Sequence, residues 1–333
     1  MMRISLLLCL LLGTLAGITA PRAASWTADG DLLLAALADG RLRVASVTAA
    51  GAEEQAVIPS PEITTLAAGT WNGKPALLGG RGKTLLRFDP AARAWAEIGS
   101  VPGVIREILP ARNGHPAAVI LTGGEGSVPK DGAVWWATWG KAFPCARVTA
   151  VKDTYRPWQV WWSVKDGEER LAVATYKATK YAPFEHNCMF LFTWQDGAAE
   201  PCWLGSRLTR PYLEAAHADL RGDGNWRMAA IEETKDDDRG LSVYEPIQFG
   251  YANEWKTEAI PGLLHIAAFG NTILCAGRDA AGADIAWQLL PDGDGYRLAA
   301  LPAAPPSLDL LTRLDAARLA GWWDGGWHVV SLN

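Results

Sequence analysis

The chain is poor in charge, in histidine and in helical periodicity, and each shortage excludes something. Charged residues are 20% of its 333 residues, the net charge is -5, and no basic block is present. Nucleic acid is therefore excluded as a partner, because neutralising phosphates needs clustered Lys and Arg. The five histidines (His115, His186, His217, His265 and His328) are too far apart in sequence to suggest a metal site. No GxSxG elbow, HExxH helix or phosphate loop occurs, and no CxxC or Cys/His spacing suggests zinc. Beyond the N-terminus no run is long and apolar enough to span a bilayer. None there sustains a helical period with a cap and a stop.

What is present starts with an apolar N-terminus. Arg3 precedes a nearly continuous apolar run from Ile4 to Ala20. That run is short for a spanning helix and suits a secretory signal, or an uncleaved N-terminal membrane anchor. Cys9 lies too early in it to be a lipid-attachment site. Residues 1–24 are read as this segment and 25–333 as the exported domain, periplasmic or extracellular. Hydrophobic residues at 49% make that domain globular.

A recurring unit organises the domain: an Asp-Gly or Asn-Gly turn followed by a short apolar strand. It appears at Asp29-Gly30, Asn72-Gly73, Asn113-Gly114, Asp166-Gly167, Asp223-Gly224 and Asp324-Gly325. Runs such as Arg41-Leu42-Arg43-Val44-Ala45-Ser46-Val47 broadly alternate, as a strand with one buried face does. The strands group into units near 25–61, 62–102, 103–153, 154–209, 210–261, 262–306 and 307–333. Four-stranded units of this length are blades of a β-propeller. The expectation is an all-β fold in one domain, a seven-bladed propeller, with six or eight as alternatives. The last unit is short by about one strand, so ring closure is expected to borrow one from the N-terminal end.

Export would permit disulfides among Cys145, Cys188, Cys202 and Cys275. With Gln195 to Ala199 as a turn, Trp194 faces Glu200 and Cys188 faces Ser206. Cys202 is then out of reach of Cys188, and buried free thiols are expected. Tryptophan is abundant, at 17 residues. The adjacent pairs Trp135-Trp136, Trp161-Trp162 and Trp322-Trp323 each put one ring between blades and one elsewhere.

Residues 154–250 resemble the FG-GAP/VCBS-type repeat proteins, and their longer arrangement resembles uncharacterised bacterial exported repeat proteins of that type. The resemblance rests on Asp219-Leu220-Arg221-Gly222-Asp223-Gly224-Asn225-Trp226-Arg227-Met228-Ala229-Ala230-Ile231 and on a weaker copy from Trp162 to Val173. It implies a propeller whose Asp-x-Asp-x-Asp-Gly loops bind Ca²⁺ through alternating carboxylates. Here Arg221, Val164 and Trp162 stand where the family has acids, and Arg227 and Arg170 stand before the strands. The loop is therefore read as eroded, with no cofactor expected. Asp219 and Asp223 are expected to accept backbone N–H bonds instead.

The ligand-binding candidates are a cationic group with an acid beside it: Arg156, Lys177, Lys180, Arg207, Arg210 and Glu232. Arginine at a channel mouth suits a carboxylate or sulfate, because its planar fork binds such groups bidentately. No catalytic residue is assigned. The favoured expectation is a monomeric, non-enzymatic binding or interaction module. Its partner would be an anionic or glycan-like ligand or an envelope or extracellular protein. Two alternatives stay open: a carbohydrate-active lyase or glycoside hydrolase on a propeller scaffold, and a Ca²⁺-dependent integrin-like domain.

Overall fold

The structure, a computed structural model, describes residues 21–332, apart from 29–30, 49–50, 113, 124–131, 181–182, 196–197, 206–207, 209, 235–237, 303 and 306. The apolar N-terminal run with Cys9, the Asp29-Gly30 turn, Asn113, and Arg207 lie outside the described residues.

Two-residue turns set the hairpins. Asn72 and Gly73 take φ of 50° and 74°, and Asp166 and Gly167 take 51° and 78°. Both central residues are thus left-handed, which Asn, Asp and Gly tolerate and which matches the twist of the flanking strands. Pairing closes directly across these turns, Trp71 with Lys74 and Lys165 with Glu168. Asp324-Gly325 does the same, with Trp323 opposite Gly326. Its turn joins the second and third strands of its sheet, whereas Asn72-Gly73 and Asp166-Gly167 join first to second. The repeated dipeptide therefore marks two different corners of the unit.

The hairpins assemble into seven antiparallel sheets, each in chain order, and the fold is an all-β, seven-bladed propeller. Six sheets have four strands, as in the fourth blade: Pro157–Lys165, Glu168–Lys177, His186–Gln195 and Ala198–Leu204. First strands begin at Ala23, Ile63, Val104, Pro157, Tyr212, Leu263 and Leu311 and neighbour one another around the ring. Second strands are the apolar ones; Ala117–Gly123 is buried along its whole length. The core lies between blades. Leu37, Leu42, Leu77, Leu86 and Phe88 fill the layer between the first and second blades, and Val119, Val160, Leu171 and Phe190 that between the third and fourth. Each such side chain contributes about 1.5–3 kcal/mol by leaving water. The tryptophan pairs straddle these layers: Trp135 packs toward the second blade and Trp136 toward the fourth.

Closure differs from the expectation. The strand Ala23–Ala28 pairs with Asp31–Ala38 in its own blade. Among the described residues the seventh blade has three strands: Leu311–Arg313, Arg318–Trp323 and Gly326–Ser331. Packing replaces strand exchange. Trp322 sits with Ala23, Ala36 and Ala38, with Trp327 packed against that group. The Arg43 guanidinium lies 3.9 Å from the Trp322 ring centroid, and Ser25 Oγ donates to Arg313 O at 2.7 Å. Pro21, Ala23 and Ala24 already belong to the channel wall.

Cys145, Cys188, Cys202 and Cys275 are all free thiols. The hairpin register is one residue away from that expected: Thr193 faces Glu200 and Trp194 faces Ala199, since pairing continues to Gln195 with Ala198; a bulge lies further along at Leu191/Phe192. Burial pushes the Cys188 thiol up to about 11 and Cys275 to about 12, so both stay protonated and unreactive.

Candidate functional site

Each first strand is the inner edge of its blade, so its inward N–H groups have no strand to pair with. In blades two to six this strand carries one bulge near its start. A bulge inserts one residue and re-aims the side chain that follows. The residues just past the bulges are Thr65, Glu107, Gln159, Glu214 and His265. The last four line a central cavity of about 610 Å³, together with Trp161.

Two of these side chains satisfy the inner-edge donors in the same way. Glu107 Oε2 accepts from Val160 N–H at 3.2 Å, on the next blade round the ring. Glu214 Oε2 accepts from Ile266 N–H at 3.1 Å, again on the next blade. Val160 follows Gln159 and Ile266 follows His265, so the two bonds occupy equivalent places two blades apart. In the second blade the corresponding donor, Leu66 N–H, is taken by Pro21 O at 2.7 Å.

The other ends of these groups differ in electrostatics. Glu214 Oε1 lies 3.0 Å from His265 Nδ1. This carboxylate holds the His265 pKa above its usual value, so the imidazolium is favoured. Burial of Glu107 raises its pKa to about 8, with the Val160 N–H bond pulling the other way. Glu107 is therefore mainly a neutral acid at pH 7, while Glu214 shares a charge pair with His265. Glu107 Oε1, the Gln159 amide and His265 Nε2 make no hydrogen bond among the described residues. Trp161 is backed by His217, with ring centroids 5.2 Å apart. Burial lowers the His217 pKa to about 3, so it stays neutral, bonded through Nε2 to Tyr251 at 2.8 Å. The cavity wall thus offers a protonated carboxyl, an amide and a charge-paired imidazole beside one indole.

The residues singled out from the sequence lie elsewhere. Arg156 pairs with Glu185 at 2.7 Å, and Lys177 Nζ lies 4.9 Å from the Tyr155 ring centroid. Lys180 is exposed on the same blade. Arg210 and Glu232 are brought together, with Lys256, in a cleft of about 380 Å³ on the fifth blade. Glu232 is buried there; it accepts from Ser242 Oγ at 2.8 Å and from Tyr244 OH. None of these described residues lines the central cavity. The sequence reading missed Glu107, Gln159, Glu214 and His265. The available signal was a polar residue near the start of a largely apolar first strand, as in Leu213-Glu214-Ala215 and Leu264-His265-Ile266.

The Asp219 loop has the expected turn chemistry. Asp219 accepts from Asp223 N–H at 3.1 Å and from Gly224 N–H at 3.0 Å. Arg227, with a side chain 5% exposed, reaches both Asp223 and Glu254. Arg221 bonds Glu254 at 2.8 Å and also Gly293 O at 3.0 Å, on the sixth blade. Guanidinium groups thus carry the positive charge beside these acids. Among the described residues no group of three His, Cys, Asp or Glu is placed to hold a metal, and no helix is long and apolar enough to cross a membrane. No protein-family model matches the chain, and no curated protein matches it.

Proposed function

We propose that this chain is an exported, non-enzymatic propeller that binds a glycan-like ligand in its central channel. One observation carries the reading: polar side chains at equivalent bulges on four consecutive blades meet in one cavity, with unpartnered ends beside Trp161. A polyhydroxylated ligand needs alternating donors and acceptors and an apolar face to stack on. Glu107 as a neutral acid donates, Gln159 does both, and His265 donates from Nε2. The cavity's charges are largely self-compensated, which favours the glycan-like over the anionic class. Export rests on the Ile4–Ala20 run, and membership of the FG-GAP/VCBS type rests on the Asp219–Ile231 segment.

The enzyme reading has one observation in its favour. A carboxyl group kept protonated, Glu107, and a second carboxyl in the same cavity, Glu214, are the kind of pair a glycosidase uses. One experiment separates the readings. Calorimetry against a panel of mono- and disaccharides, with product analysis of the same mixtures, is expected to give binding without turnover. Trp161→Ala and Gln159→Ala should each weaken binding about tenfold or more, as loss of a stacked ring or a buried hydrogen bond does. Sugar cleavage that Glu107→Gln abolishes would establish the enzyme instead. Binding untouched in both variants would remove the channel as the site.

A further inference from the structure

A second cavity, of about 580 Å³, opens between the third and fourth blades. It lies at the end of the ring where first strands turn into second strands, away from the bulged starts that carry Glu107 and Gln159. Three indoles line it. Trp194 stands between Trp136 and Trp162, with ring centroids 5.2 Å and 5.5 Å away and planes inclined at 66° and 69°. Near-perpendicular rings form a corner rather than a stack. Trp162 is fixed at its base by an N–H bond to Pro110 O at 2.8 Å. The three rings pack on the inter-blade core on one side and line the cavity on the other.

The polar lining is unbalanced. Glu168, Glu169 and Glu200 face the cavity against one cation, Arg112. Arg170 engages Glu168 at 3.0 Å, and Arg112 sits 3.7 Å from Glu169. The Arg112 guanidinium also lies 4.7 Å from the Trp226 ring centroid. Glu200 is exposed and has no ion pair among the described residues.

We propose that this cleft is an aromatic–carboxylate site for a small alkylammonium group, separate from the channel. Indole faces attract a cation through the ring quadrupole, and Trp does so best. A weakly hydrated alkylammonium loses little on leaving water, and surplus carboxylate charge at the rim draws it in.

The test is titration of the whole chain with tetramethylammonium chloride, followed by tryptophan fluorescence and calorimetry. The uncharged isostere 3,3-dimethyl-1-butanol serves as the control. Saturable binding of the cation is expected, with the alcohol at least tenfold weaker. Glu200→Gln, a surface change that leaves the indoles in place, should weaken the cation about two- to fivefold and leave the alcohol unchanged. Trp194→Phe should weaken the cation further. Phosphatidylcholine vesicles form a second arm. Co-sedimentation with them places the ammonium on a lipid headgroup; binding of the free ion alone places it on a soluble amine. Equal binding of alcohol and cation, or no saturable binding of either, overturns the proposal. So does a signal that Glu200→Gln and Trp194→Phe both leave intact.

Discussion

The Asp219 loop and the channel wall both concentrate charged and polar side chains, but they treat them in opposite ways. In the loop Asp219 is held by two backbone N–H groups, Asp223 and Glu254 by Arg227, and Arg221 crosses to the sixth blade. Tyr296 OH closes the set on Glu254 at 3.0 Å. In the channel each Glu spends one oxygen on the next blade, and the remaining ends of Glu107, Gln159 and His265 are left open. Saturated polar groups hold a fold together; unsaturated ones in a cavity are available to a ligand. The more acidic and more motif-like region is thus the structural one.

The comparison breaks most readily at Arg227. Arg227→Ala removes the cation of Asp223, whose side chain is 41% exposed, while Glu254 keeps Arg221; losing a buried guanidinium and its charge-assisted bonds should cost about 2–3 kcal/mol. Equilibrium urea unfolding should show that loss; a change under about 0.5 kcal/mol would mean that the loop is not the brace described here.

A pH series at Glu107 sharpens the other side. Its folded pKa of about 8 lies above the ordinary 4.5, so the folded state holds an extra proton between those values. Stability must therefore fall as pH rises from 4.5 through 8. Glu107→Gln keeps an acceptor for Val160 N–H and removes the titration. It should match the parent near pH 4 and exceed it by about 2 kcal/mol at pH 8, given partial access of water to the cavity. A gain independent of pH would show that the carboxyl is already ionised at neutrality.

The smallest expected effect is that of Ca²⁺. Calorimetry with the loop acids already engaged should show no heat, and the melting temperature should not move. A saturable heat that Asp219→Asn removes would return the loop to the metal-binding class.

The architecture was legible because it rests on local rules. Asn72-Gly73 and Asp166-Gly167 specify their turns by themselves, and the apolar second strands follow at a fixed place. The channel was not legible because no local rule announces it. Glu107, Gln159, Glu214 and His265 are single polar residues more than forty positions apart. Only the bulges aim them inward, and only ring closure brings them into one cavity. The cationic residues drew attention because they cluster in sequence. In space Arg156 pairs with Glu185, and Arg210 joins Glu232 on another blade.

The packed seam between the last and first blades bears on how the molecule is made. Trp322, Trp327, Leu319 and Ala320 meet Ala23, Leu34, Ala36 and Ala45 there or brace the blade that does. The two halves of that contact are separated in the chain by the five blades between them. Blades two to six can stack as they emerge, since each touches only its neighbours. The circle, and with it the channel, cannot shut until Leu311–Arg313 and Arg318–Trp323 have left the ribosome. A chain stopped before Leu311 would carry nearly every side chain of the cavity and still be an open arc.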